Sequence, residues 1–95
     1  MSEASIRHEP ESSRFVADVE GGEASLEYMR EGRRVIFTHT GVPPASEGRG
    51  IGTSLARTGL EWARREKLRV VPACPFVAAF VKRHHREYGE LLGEG

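Results

Sequence analysis

Glycine recurs at alternate positions in Gly48-Arg49-Gly50-Ile51-Gly52, between a β-branched stretch that stops at Val42-Pro43-Pro44 and a long run with helical periodicity. The order strand, glycine loop, helix constrains this chain more than any other feature. Glycine accepts positive φ and lets the backbone come close to a ligand. The first N–H groups of the following helix lack intrahelical partners and carry the positive end of its dipole, so the segment suits a pyrophosphate. A tight turn before a helix needs glycine for geometry alone, and the spacing by itself leaves both readings open. Two phosphate loops are excluded. A P-loop ends in Gly-Lys-Ser/Thr, and no lysine precedes Lys67. A dinucleotide fold needs its glycine loop early and a second mononucleotide-binding half, whereas here the loop comes mid-chain in 95 residues.

That length predicts one domain, residues 1–95 with its core at about 6–92, and a modest hydrophobic interior. The 14 basic and 14 acidic residues balance, which argues against a partner held by bulk electrostatics, nucleic acid included. One cysteine makes no intramolecular disulfide. With neither an apolar leader nor a bilayer-length apolar run, a cytoplasmic location and no membrane partner are expected. Met1 to Ser5 and Gly93 to Gly95 read as frayed ends.

Arg14 to Glu20 alternates with Phe15, Ala17 and Val19 on one face, and Gly21-Gly22 offers a hairpin turn. Glu23 to Arg30 follows with Ala24, Leu26 and Tyr28 on one face. Glu31-Gly32 turns again into a third strand, Arg34 to Thr40, rich in β-branched residues. A short strand at Ile6 to His8 precedes this antiparallel meander. Gly50 to Glu66 is a helix with Ile51, Leu55, Ala56, Gly59, Leu60, Trp62 and Ala63 on its apolar half, where Trp62 reads as core. Lys67 to Pro72 is a buried strand, connected by that helix to the strand ending near Val42 and therefore parallel to it. Pro75 opens a second helix whose apolar side is Phe76, Val77, Phe80 and Val81, and Tyr88 to Leu92 adds a last short turn. The fold class is α+β.

The blocks Val42-Pro43-Pro44 with Gly48-x-Gly50-x-Gly52, then Val70-Val71-Pro72-x-Cys74-Pro75-Phe76-Val77, occur in an order that resembles the short GNAT-like acetyltransferases of the YjdJ type. The resemblance covers about Ile6 to Leu92. It implies a minimal GNAT-like fold, acetyl-CoA as ligand, and N-acetyl transfer to a primary amine of an unknown protein or small molecule. The superfamily loop pattern Gln/Arg-x-x-Gly-x-Gly/Ala maps onto Glu47 to Gly52, with backbone N–H groups receiving the CoA pyrophosphate. Glu47 departs from it, since a carboxylate repels a phosphate, and is expected to point to solvent and leave Arg49 and the backbone to bind. The resemblance further implies cofactor contacts at Thr40, Val42, Gly48, Arg49, Gly50, Ile51, Gly52, Thr53 and Phe76. The thioester would lie where the Thr38 to Val42 strand splays from Val70-Val71.

Acetyl transfer needs a deprotonated amine, a polarised carbonyl and a proton for the departing thiolate. Cys74 is the first candidate catalytic residue, as a transient acetyl acceptor or as an acid, because a thiolate is favoured at a helix N-terminus. Buried packing is the competing role for a free cysteine. His39 is the second candidate, a base near the end of its strand, although its expected face with Val35 and Phe37 also suits a hydrogen-bonded core histidine. His84 and His85 point in different directions on a helix, and no metal site is expected. Lys82, Arg83 and Arg86 form a basic edge that could meet the adenosine phosphate. The alternatives to an enzyme are a CoA-binding module with little catalysis and a small interaction domain that pairs through an edge strand.

Overall fold

Alternating side chains and tight turns build the first half of the chain, in a computed structural model that describes residues 5–92. Strands β1 (Ile6–Glu9), β2 (Arg14–Val19), β3 (Gly22–Glu31) and β4 (Arg34–Gly41) form the antiparallel meander. Strand β5 (Arg69–Pro72) joins β4 in parallel, and the five-stranded sheet runs in the order β1-β2-β3-β4-β5. Each long hairpin turn sits one residue from its expected place. Val19 faces Gly22 and Glu31 faces Arg34, so the turn residues are Glu20-Gly21 and Gly32-Arg33. The register that sets Leu26 opposite Phe15 and Tyr28 opposite Phe37 buries the apolar face, and it outweighs the choice of turn pair. The expected frayed ends fall outside the described residues, apart from Ser5.

Helix α1 (Ile51–Arg65) lays Leu55, Ala56, Gly59, Leu60, Trp62 and Ala63 onto one face of the sheet. Gly59 marks the close approach: a Cβ there would stand 2.9 Å from Leu26 Cδ2 and 3.1 Å from the Phe37 ring. Trp62 meets Phe15, Tyr28 and His8, with ring centroids 4.9–5.5 Å away. Helix α2 (Pro75–Arg83) buries Val77, Phe80 and Val81 but leaves Phe76 38% exposed, which removes Phe76 from the expected apolar side. Helix α3 (His85–Tyr88) starts earlier than the expected last turn and continues as a 3-10 turn over Gly89–Leu91. Among the described residues, no helix is long and apolar enough to cross a membrane.

A bulge in β4 decides which side chains reach the interior. Tyr28 faces Phe37 while Glu27 faces His39, so Thr38 is an extra residue and the in–out alternation reverses beyond it. Thr40, opposite Leu26, now lies on the core face. His39 is exposed on the other face, beside Gly41, where a Cβ would stand 3.3 Å from its Nε2. The expected shared face of His39 with Val35 and Phe37 is therefore wrong, because period-2 counting does not see an inserted residue.

Candidate functional site

Strands β4 and β5 pair only from Arg34–Arg69 to Phe37–Pro72. The Cys74 N–H then donates to the Phe37 carbonyl at 2.8 Å and the chain turns into α2, while β4 runs on to Gly41 without a β5 partner. The glycine loop closes the opening. Gly48 and Gly50 take φ of +83° and +78°, a region that side chains rarely adopt. Gly50 is the N-cap of α1, no side chain caps the helix, and its first turn carries no acidic residue. Its leading N–H groups are therefore open to an anion.

The result is a cleft of about 400 Å³. Of the expected ligand contacts, Thr40 lines it from β4, Val42 from just beyond that strand, Gly48, Gly50, Ile51, Gly52 and Thr53 from the loop and helix, and Phe76 from α2. Phe76 covers Gly52 closely enough that a Cβ there would lie 3.0 Å from Cζ. Arg49 does not line the cleft; it is exposed, and its guanidinium lies 3.5 Å from the Glu20 carboxylate. Glu47 is exposed as expected, yet it also borders the cleft and sets a negative charge at the rim. Backbone donors, an apolar wall of Val42, Ile51 and Phe76, and the Thr40 and Thr53 hydroxyls suit a ligand with an anionic end and a long uncharged arm.

Ser46 also lines the cleft and was not singled out by sequence reasoning. It is buried, and its hydroxyl donates to the Glu20 carbonyl at 2.8 Å. Next to it, a Cβ on Gly21 would come within 3.1 Å of both Pro43 and Ala45. The β2–β3 turn thus braces the loop from behind. No local signal marks Ser46, because its partner is 26 residues away.

Cys74 is the N-cap of α2, 4% exposed, with Sγ 3.2 Å from Thr40 Oγ1. It does not line the cleft, and His39 stands on the opposite face of the sheet, so the two candidate catalytic residues are not brought together. Lys82, Arg83 and Arg86 are exposed, belong to the far end of α2 and to α3, and do not reach the cleft lining. His84 rests on Phe80 at 4.3 Å between ring centroids, with Nδ1 3.5 Å from Glu87. Among the described residues no cluster of His, Cys, Asp and Glu could hold a metal ion.

A model of the GCN5-related N-acetyl-transferase family matches residues 14–91. Protein NATD1 of Bos taurus is 33% identical over 82 residues, covering 83% of this chain and 73% of the relative. Protein NATD1 of Homo sapiens is 30% identical over the same length, with 83% and 73% covered. The NMR solution structure of a GCN5-like protein from Staphylococcus aureus superposes with a TM-score of 0.72 at 24% identity, covering 100% of this chain and 93% of that one. The five-stranded sheet with its single parallel pair is accordingly a GCN5-like fold. A match over most of the length, on the same strand-loop-helix that builds the cleft, means that this chain belongs to the GCN5-related N-acetyltransferase family.

Proposed function

We propose that the cleft binds acetyl-CoA and that the chain transfers its acetyl group to a primary amine, as a short, single-domain member of the family of the YjdJ type. The observation that carries this reading is the junction of the uncapped N-terminus of α1 with the segment of β4 that β5 leaves unpaired. The backbone from Gly48 to Thr53 would receive the pyrophosphate. The backbone from Thr40, near the end of β4, to Val42 would take the pantetheine amides, with Phe76 against the arm. Acetyl-CoA is a substrate here, consumed in each turnover.

Calorimetric titration with acetyl-CoA and dephospho-CoA tests this. Saturable binding is expected, and it should be lost in Gly50→Val, whose β-branched side chain cannot accept φ near +78°. Normal binding by Gly50→Val would remove the loop assignment, and no heat with the wild-type chain would remove acetyl-CoA as the ligand. A CoA-binding module with little catalysis is favoured by one feature, the recessed Cys74 with His39 turned away. Binding without acetylation of any amine in a broad panel would select it.

A further inference from the structure

Thr40 stands between Cys74 and the cleft. Thr40 lines the cleft, whereas Cys74, hydrogen-bonded to its hydroxyl, is 4% exposed and does not. The Cys74 backbone is already engaged, its N–H by the Phe37 carbonyl at 2.8 Å and its carbonyl by the Ala78 N–H at 3.0 Å. The side-chain hydrogen bond of Cys74 among the described residues is the one to Thr40 Oγ1 at 3.2 Å. The arrangement depends on the bulge, since without the extra residue Thr38 the position facing Leu26 would be held by His39.

We propose that Thr40 is the acid that protonates the departing CoA sulfur, and that Cys74 is a positioning residue that orients and replaces its proton. This rests on the acetyl-transfer reading of the cleft. A hydroxyl has one proton and two lone pairs. When Cys74 S–H donates to Thr40 Oγ1, the Thr40 proton is left free to point into the cleft. As the amine nitrogen bonds to the acetyl carbon, the C–S bond breaks and its electron pair stays on the CoA sulfur. That sulfur takes the Thr40 proton, and the Cys74 proton moves to Thr40. The Cys74 thiolate then accepts a hydrogen bond from the same hydroxyl until it recovers the proton shed by the acylated amine. The net shift runs from one alkyl thiol to another, so no strongly basic group is left behind. Donation by Thr40 alone would leave an alkoxide.

The test compares wild type, Thr40→Val and Thr40→Ser, using poly-lysine as the amine probe. In Thr40→Val kcat should fall about 100-fold, more than any accompanying change in acetyl-CoA affinity, and Thr40→Ser should restore most of it. The deficit should shrink with an S-acetyl nitrothiophenol donor, whose thiolate departs without a proton. Wild-type kcat in Thr40→Val, or an acetylated Cys74 that forms and decays during turnover, overturns the relay alone. Absence of acetyl-CoA binding by the wild-type chain overturns the relay together with the acetyl-transfer reading.

Discussion

Ser46 ties two distant segments through one hydroxyl. Truncation in Ser46→Ala removes the hydrogen bond from a hydroxyl that is 1% exposed to the carbonyl of the exposed Glu20, a cost of about 0.5–1.5 kcal/mol. Urea denaturation should show that loss, and acetyl-CoA titration a weaker complex, because the loop loses its brace. An unchanged affinity would mean that the prolines hold the loop without it. His8 gives a pH dependence. Its ring stacks on Phe15 at 4.1 Å and its Nε2 lies 2.6 Å from the Tyr28 hydroxyl. Burial holds its pKa below the ordinary 6.5, against the opposing pull of Glu11 and Glu66. On acidification the unfolded chain therefore takes up this proton first. The stabilisation is complete above about pH 6.5 and declines as pH falls towards the lower folded-state value. Glu9, held down by hydrogen bonds from Arg7 and Arg14, acts in a separate window that opens only below its ordinary 4.5. Unfolding free energies at pH 7.5, 6.5 and 5.5 should fall more steeply in wild type than in His8→Gln, and equal slopes would exclude His8 as the cause.

At the scale of elements, the two buried glycines of α1 serve different ends. Gly59→Ala gains up to about 1 kcal/mol of helix propensity but drives a methyl into Leu26 and the Phe37 ring, an overpacking cost of about 1–3 kcal/mol. Net destabilisation is expected, since both neighbours are fully buried. Gly52→Ala meets the Phe76 ring, which is 38% exposed and can swing outwards. Stability should stay level or rise slightly, while acetyl-CoA binding changes because the cleft wall moves. Thermal unfolding of the two variants separates the roles: a large loss in Gly52→Ala would place Phe76 in the structural core and not in the cleft wall.

For the molecule as a whole, the C-terminal segment acts as a clamp across α1. Tyr88 is fully buried; its hydroxyl donates to Glu61 at 2.6 Å and accepts from Arg57 at 3.1 Å. Arg64 reaches Glu90 at 2.9 Å and the Glu87 carbonyl at 2.7 Å, and Leu92 bridges to Val70 beside β5. The exposed ion pairs add little, about 0–1 kcal/mol each. Burial of an aromatic ring of this size contributes about 4 kcal/mol or more. Removal of residues 84–95 should therefore lower unfolding stability by at least about that amount, whereas Glu90→Ala should cost under about 1 kcal/mol, both read from chemical denaturation. Equal stability of the shortened chain would make the clamp dispensable.

The elements themselves were legible because each writes its own period into the sequence: alternation in β2, β3 and most of β4, helical spacing in α1, proline at the start of α2. Parallel pairing of β5 with β4 followed from the single helix between them, and the cleft-lining glycines from their place before that helix. Tertiary structure alone decided the rest. The register, set by burial across several strands, moved both turns and inserted Thr38, exchanging His39 for Thr40 on the inner face. Glu20 drew Arg49 aside and held Ser46 beneath the loop, and Gly52 left room for Phe76 at the cleft instead of in the core. Sequence periodicity reports which way a side chain would point in an ideal element; contacts between residues far apart in the chain determine where the element departs from ideal, and in this molecule that departure falls at the cleft.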